Sequence, residues 1–412
     1  MTKISRLFIS LSLSTFFKSF LKKKKNNKFY LDFIKKLFNY KYIYPTSMCR
    51  VGFLIFLEYI KEKYPKKNEI LICSYNLKEM IDIPRILGFK IVLIDVDKNG
   101  FMNLKELKKK ISIDTSAILL TNMFNEPKDS LSIKKIAKEN KITLIEDNAI
   151  YFGNYYLNNN NKKYAGSIGD ISIGSFGIMK NISALYGGYI ATNDKNLSEY
   201  IKLRIDKFQE FPKTIYLKQI LVFFIFKILT TKIIYNYFFF YFLKLGHRFN
   251  INFILKLAYP AEHFKKKDKI PRFYYSKISK ISENILHETF KSNIYKLHSN
   301  QRKNKVKTYH QLLSKIDKIK LIKIKNSEFQ NFLEFPILVK NKHLLSRYLF
   351  SKGIETKEYY YKNCEDLIFK RHNFKNKNST MYEKNLMCLP CHPEITIKQI
   401  NKICDNIKNY YN

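Results

Sequence analysis

Between residues 69 and 147 short apolar runs alternate with stretches of helical spacing, and no other feature limits the fold of this chain as sharply. Strands are expected at 69–73, 91–95, 117–121 and 142–146, with helices at 81–87 and 131–139 and an earlier one over 51–64. Runs that are apolar throughout, rather than at every second position, belong to strands covered on both faces. Strand–helix alternation of this kind predicts an α/β fold with a mostly parallel central sheet and helices on both faces. Ligands of such sheets gather beyond the carboxyl ends of the strands. Asp147 closes the run Ile-Thr-Leu-Ile-Glu-Asp (142 to 147), which puts an acid at that edge.

Thirty-three positions later, Lys180 stands in Ser-Phe-Gly-Ile-Met-Lys-Asn (175 to 181), shortly before a Gly-Gly pair. A lysine near a serine is ordinarily a solvated surface residue. Combined with an acid at a strand end, it is the layout of a pyridoxal 5'-phosphate (PLP) site. The lysine amine links to the cofactor aldehyde, the acid keeps the pyridine nitrogen protonated, and a hydroxyl near the lysine takes the phosphate.

Further segments carry a family resemblance: Asn-Glu-Ile-Leu-Ile (68 to 72), Leu-Gly-Phe-Lys-Ile-Val-Leu-Ile-Asp-Val-Asp (87 to 97), Ile-Glu-Asp-Asn-Ala (145 to 149) and Gly-Ser-Ile-Gly-Asp (166 to 170). Lys-Gly-Ile-Glu-Thr (352 to 356) and Leu-Pro-Cys-His-Pro (389 to 393) continue it. In their order and spacing they resemble the DegT/DnrJ/EryC1/StrS family of sugar aminotransferases, of the PLP-dependent transferase fold type I. The resemblance implies a large cofactor-binding domain and a smaller C-terminal α+β domain that closes over the substrate. It makes Lys180 the cofactor-linked lysine and proton-transfer base, Asp147 the partner of the pyridine nitrogen and Ser175 a phosphate ligand. Ala149 matches a small residue under the ring. Ser-Met-Cys-Arg-Val-Gly (47 to 52) lies where the family turns into a helix around the phosphate, with Cys49 in place of the usual Gly, and so assigns Cys49 and Arg50 to the cofactor.

Other positions depart from the family. Ile150 replaces a Gln or His three residues after the Asp, and Tyr186 stands where a Glu commonly precedes the Gly pair. Asn122 and Asn125 occupy places that often hold His and Gly. Phe-Tyr-Tyr-Ser-Lys-Ile-Ser (273 to 279) lacks the Asn usually sent to the neighbouring subunit.

With 412 residues the chain is long enough for two domains. The domains are expected as an N-terminal basic and apolar extension (1–44), the cofactor domain (45–215), an apolar insertion (216–262) and the C-terminal domain (263–412). The formal charge of +41 would suit nucleic acid, but only nine of the 75 basic residues are Arg, and no zinc-finger, RRM or helix-turn-helix pattern accompanies them. Six dispersed cysteines fit a reducing compartment; Cys388 and Cys391 have no second pair to complete a metal site, and His392 reads as a packing residue. Residues 7–20 precede a lysine run, 22–25, the reverse of a secretory signal, and are expected to form an amphipathic or packed helix. In 216–262, Lys227 and Lys232 interrupt the apolar runs. A spanning helix needs about 18 uncharged apolar residues, so the segment reads as an interfacial one with its lysines turned outward, or else as a buried helical pair or dimer face. Residues 264–269 read as a solvated loop.

The expected function is transfer of an amino group from an amino acid, glutamate by preference, to a nucleotide- or lipid-linked keto sugar for surface polysaccharide or glycolipid. The apolar insertion resembles that of a family subgroup with the same Ser-Phe-Gly-x-x-Lys wording and suggests a membrane-proximal acceptor. Related dehydratases usually carry His in place of this lysine. The family's shared sites imply a homodimer; from the cysteines, the lysine clusters and the apolar insertion the protein is expected in the cytoplasm, with peripheral contact on the inner face of the membrane. The alternative is a membrane-associated family member that has kept the fold without catalysis.

Overall fold

The computed structural model describes residues 2–21, 29–249, 251, 266–323, 330–358, 361–368 and 375–412. The lysine run at 22–25, residues 252–262 of the apolar segment, and positions 264 and 265 lie outside the described residues.

Seven strands form the main sheet, numbered here in chain order: β1 Tyr42–Thr46, β2 Glu69–Cys73, β3 Lys90–Ile94, β4 Thr115–Thr121, β5 Thr143–Asp147, β6 Ile171–Ser175 and β7 Gly188–Thr192. Their spatial order is β1-β7-β6-β5-β4-β2-β3. The pairings β2–β3, β2–β4, β4–β5 and β5–β6 are parallel, whereas β7 runs antiparallel to both β6 and β1. Each apolar run serves two cores at once. Leu71, Ile118, Leu120 and Leu144 face one core, while Ile70, Ile72, Leu119 and Ile145 face the other. Helix Cys49–Lys63, buried at every position from Val51 to Ile60, fills the second core. The first core is continuous with a three-stranded antiparallel sheet, Ile319–Leu321, Phe335–Val339 and Leu386–Leu389, and with helices Ile294–Leu313 and Ile397–Tyr411.

The N-terminal region differs from the expected single helix. Helix begins only at Leu13; before it the chain runs extended, with Leu7, Ile9 and Leu11 buried at every second position. That period of two belongs to extended backbone. Ile4 pairs with Ile354, and Ser12 takes over as a helix-starting residue by accepting from the Thr15 amide at 3.0 Å. This strap shares a core with Phe176, Tyr189, Phe223 and Phe290, so the start of the chain is integral to the body of the protein.

The apolar segment forms helix Lys213–Leu229, a short turn, and a helical stretch from Lys232 to Arg248 with a π-helical turn at Tyr235–Phe239. No helix among the described residues is long and apolar enough to cross a membrane. Lys232 is exposed, but Lys227 does not point outward as expected: its Nζ donates to the Ile9 carbonyl at 2.9 Å. The strap, invisible to helical periodicity, supplies that acceptor. In the loop expected to be solvated, Lys266, Asp268 and Lys269 are exposed, but Lys267 packs inward, its amide donating to Asp82 Oδ2 at 2.9 Å and its Nζ to Glu79 Oε1 at 3.3 Å.

Candidate active site

Asp147 and Ser175 end the adjacent parallel strands β5 and β6. Asp147 is buried, and its Oδ1 accepts from the Ala149 amide at 2.8 Å and faces the Cys49 thiol at 3.6 Å. Burial lifts its carboxyl above the ordinary range; the Ala149 amide, the Lys180 charge, the Cys49 thiol and the Arg50 charge pull the other way. Burial likewise raises the Cys49 thiol, so it stands as a neutral donor beside the carboxylate.

Lys180 lies in the loop that joins β6 to β7. Its amide donates to the Gly177 carbonyl at 3.0 Å, and its own carbonyl accepts from the Ser10 hydroxyl of the strap at 3.1 Å. Leu185 in the same loop holds φ at +68°, a left-handed conformation that is unusual for a branched side chain. Part of Lys180 meets solvent, yet desolvation dominates its amine and lowers the pKa to about 8, against the pull of Asp147 and Cys49 and with Lys357 and Arg50 adding repulsion. Amine and carboxylate thus sense each other across the edge of the sheet.

The Gly-Gly pair has a steric role. A Cβ on Gly188 would lie 2.6 Å from Cys49 N, 2.6 Å from Met48 C and 2.7 Å from Gly174 O, all backbone atoms. The missing side chain lets the turn into helix Cys49–Lys63 press against the lysine loop, and Met48 bridges to Gly187. In that turn Ser47 is fully buried and its Oγ has no partner among the described residues. A buried hydroxyl left open beside a helix N-terminus suits an incoming phosphate. Ser175 Oγ accepts from the Gly177 amide at 3.3 Å and keeps further capacity. The residues present therefore fit PLP: Lys180 for its aldehyde, Asp147 for its ring nitrogen, and Ser47, Ser175 and the helix N-terminus for its phosphate.

Arg50, expected near the cofactor, is engaged elsewhere. Its Nη1 contacts Glu79 Oε1 at 3.1 Å and Tyr274 Oη at 3.0 Å, and it acts on the site through its charge alone. Ala149 contributes its amide to Asp147 and is only half-buried. Asn122 and Asn125 are buried supports: Asn122 Nδ2 donates to Glu146 and Asn148, and Asn125 Nδ2 donates to Asn122. The Gly-Ser-Ile-Gly-Asp stretch has a similar use, its amides at Gly166, Ile168 and Gly169 holding the fully buried Glu146 carboxylate. Ile150 packs into the core and Tyr186 stacks near Phe211, ring centroids 4.8 Å apart. Cys388, Cys391 and His392 are buried, and no group of three metal-ligating side chains exists among the described residues.

Sequence reasoning passed over Ser47, Ser10, Lys357 and Tyr361. Tyr361 is a buried phenol close enough to feel Asp147 and Cys49. Lys357 follows directly on Lys-Gly-Ile-Glu-Thr, and its Nζ contacts Glu334 Oε2 at 2.8 Å. Position next to a recognised motif was the only signal for it.

The family model of the DegT/DnrJ/EryC1/StrS aminotransferases matches residues 18–211 and 274–408, and the chain belongs to that family. The intervening stretch, outside the match, holds the apolar helical segment. Among curated proteins the chain is similar to GDP-perosamine synthase of Escherichia coli O157:H7, 28% identical over 155 residues that cover 37% of this chain and 42% of that protein. It is also similar to an uncharacterized Methanocaldococcus jannaschii protein, 27% identical over 164 residues, or 40% and 41% of the two chains. These alignments span about two fifths of the relatives' length. Among solved structures, PseC of Helicobacter pylori, an aminotransferase involved in the biosynthesis of pseudoaminic acid, superposes with a TM-score of 0.70 at 16% identity over 99% of this chain and 97% of its own. An E. coli GDP-4-keto-6-deoxy-D-mannose-3-dehydratase with bound hydrated PLP reaches 0.71 at 18% identity, covering 98% of each. The fold is that of the PLP-dependent sugar aminotransferases.

Proposed function

We propose that this protein is a PLP-dependent transaminase that moves an amino group from an amino acid, with glutamate as the expected donor, to the keto group of a nucleotide- or lipid-linked sugar used in surface polysaccharide or glycolipid. One observation carries the reading: a desolvated lysine lies within electrostatic reach of a buried aspartate at the carboxyl edge of a parallel sheet. When bound, PLP supplies an aldehyde that accepts the amino group and a ring that draws off electrons. Asp147, a buried carboxyl that pairs directly with no cation among the described residues, favours a protonated ring nitrogen opposite it. Lys180 is part charged and part neutral around pH 8, as suits a group that takes up and returns a proton. Its presence where related dehydratases carry His supports amino transfer over dehydration.

The test is the absorbance spectrum of the purified protein with added PLP, wild type beside Lys180→Ala, before and after glutamate. The reading expects a visible band that the variant lacks and that glutamate shifts toward the ultraviolet. A wild type that stays colourless would refute it and favour a non-catalytic member, for which Ile150 and the altered 273–279 segment would then account.

Peripheral membrane contact is part of the same reading. Phe17 and Leu21 of helix Leu13–Leu21 and Leu221, Ile233, Tyr237 and Phe238 of the apolar segment are exposed, with Lys18, Lys218, Lys232 and Lys244 exposed among them. Phe16 joins the two helices by contacts to Phe223 and Phe224 at 5.2 and 5.3 Å between ring centroids. Apolar rings flanked by lysines suit an anionic headgroup zone. Sedimentation with anionic vesicles is expected to pull down the wild type and to lose Leu221→Ser/Phe238→Ser; retention of the double variant would turn the face over to a subunit contact in the expected homodimer.

A further inference from the structure

Four basic side chains converge on the ring of Phe8 in the strap and a fifth, Lys305, lies close to Arg302 and His392; none of them belongs to the cofactor assignment. His392 stacks on that ring at 5.2 Å and His298 meets its edge at 5.7 Å. Lys227 Nζ and Arg302 Cζ lie 5.8 and 5.9 Å from its centroid. Lys305, one turn beyond Arg302 on helix Ile294–Leu313, reaches the Pro393 carbonyl at 2.7 Å.

Arg302 decides the meaning of the cluster. It is 1% exposed, its Nε has no hydrogen-bond partner, and no carboxylate among the described residues pairs with its guanidinium. His392 uses Nε2 on the Ser5 carbonyl at 3.0 Å, while its buried Nδ1 has no partner among the described residues. Among the described residues Glu394, itself exposed, is the one carboxylate that acts on any of the five, and it acts on Lys227. Burial and the neighbouring cations push His298 down to about 4 and His392 to about 3, and burial lowers Arg302 to about 10. An interior guanidinium without an anion is among the costliest arrangements a protein can keep, and packing alone would be served as well by Met. The fork of an arginine matches two oxygens of one oxyanion, and the two lysines beside it, Lys227 and Lys305, call for more than a single negative charge.

We propose that this cluster is a second ligand site, one that binds a phosphate group, with Arg302 giving the forked contact and Lys305 and Lys227 completing it. The strap links it to the lysine loop, since Phe8 is two residues from Ser10, whose hydroxyl holds the Lys180 carbonyl. The phosphate source is either the free ion or the phosphoryl group of a nucleotide.

The test is equilibrium dialysis of the full chain against radiolabelled inorganic phosphate, on wild type, Arg302→Met, Lys305→Gln and Ser47→Ala. The site predicts saturable binding that weakens tenfold or more in Arg302→Met and Lys305→Gln and persists in Ser47→Ala, which alters the cofactor turn instead. No saturable binding, equal binding in Arg302→Met, or loss in Ser47→Ala alone would overturn it, as would displacement by equimolar acetate. Should Arg302→Met fail to fold, as judged by circular dichroism, Lys305→Gln decides the matter by the same criterion. Competition by UDP or GDP would identify a nucleotide as the phosphate source, and its absence the free ion; either result upholds the site.

Discussion

Removal of the Lys180 charge should stabilise the protein in the absence of cofactor. The amine falls from 10.5 to about 8 in the folded state, chiefly by desolvation. At about 1.36 kcal/mol per pH unit, the folded state forfeits about 3 kcal/mol at neutral pH by holding this charge. Partial solvent access and the orphaning of Asp147 reduce the gain, so Lys180→Met is expected to be more stable than the wild type by about 2 kcal/mol at pH 7. The sign of the pH dependence is fixed. Between pH 8 and 10.5 the unfolded lysine binds more protons than the folded one, so wild-type stability rises with pH across that window while the variant lacks this increment. The advantage of Lys180→Met should therefore shrink toward zero by about pH 10.5. Urea unfolding of both cofactor-free proteins at pH 7, 9 and 10.5 checks this, because the other titrations cancel in the difference. A variant less stable than wild type at pH 7, or an advantage constant with pH, would refute the idea that a desolvated amine is held in place by the surrounding fold.

Three further outcomes follow from the same geometry. Gly188→Ala should cost about 2 kcal/mol or more, since its Cβ meets backbone that cannot step aside, and should also abolish the PLP absorbance band; a stable, coloured variant would show that the turn yields. Glu146→Gln leaves amides at Gly166, Ile168 and Gly169 poorly matched and should lower stability by about 1–3 kcal/mol in urea titration. Arg6→Met breaks the 3.1 Å pair with the fully buried Glu355 and should expose the strap to limited proteolysis ahead of global unfolding, with a loss of about 3 kcal/mol; unchanged protease resistance would show that the strap is held by its apolar residues instead.

The parallel sheet was legible in the sequence because its central strands are buried on both faces and so leave apolar runs of nearly their own length; residues 69–73 were placed to the residue. Asp147 and Lys180 were legible for a related reason, since an acid at a strand end and a lysine before a Gly pair are local patterns with one common chemistry. What those patterns could not carry was contact between distant segments. Only the folded chain shows that Gly188 is needed for the approach of Cys49, that Ser47 is left open, or that Arg50 is spent on Glu79 and Tyr274. The N-terminal segment makes the same point more strongly. Its apolar content reads as helix, yet its first residues run extended because the backbone around Ile354 and the Lys227 amine, both far along the chain, supply the partners that extended backbone cannot find locally. The sequence alone determined which short stretches would be buried strands and helices, and it pointed to Asp147 and Lys180 as the pair to which the proposed function assigns the chemistry. Tertiary structure decided what surrounds them, because burial, electrostatic coupling and close backbone approach depend on distances that no local spacing encodes.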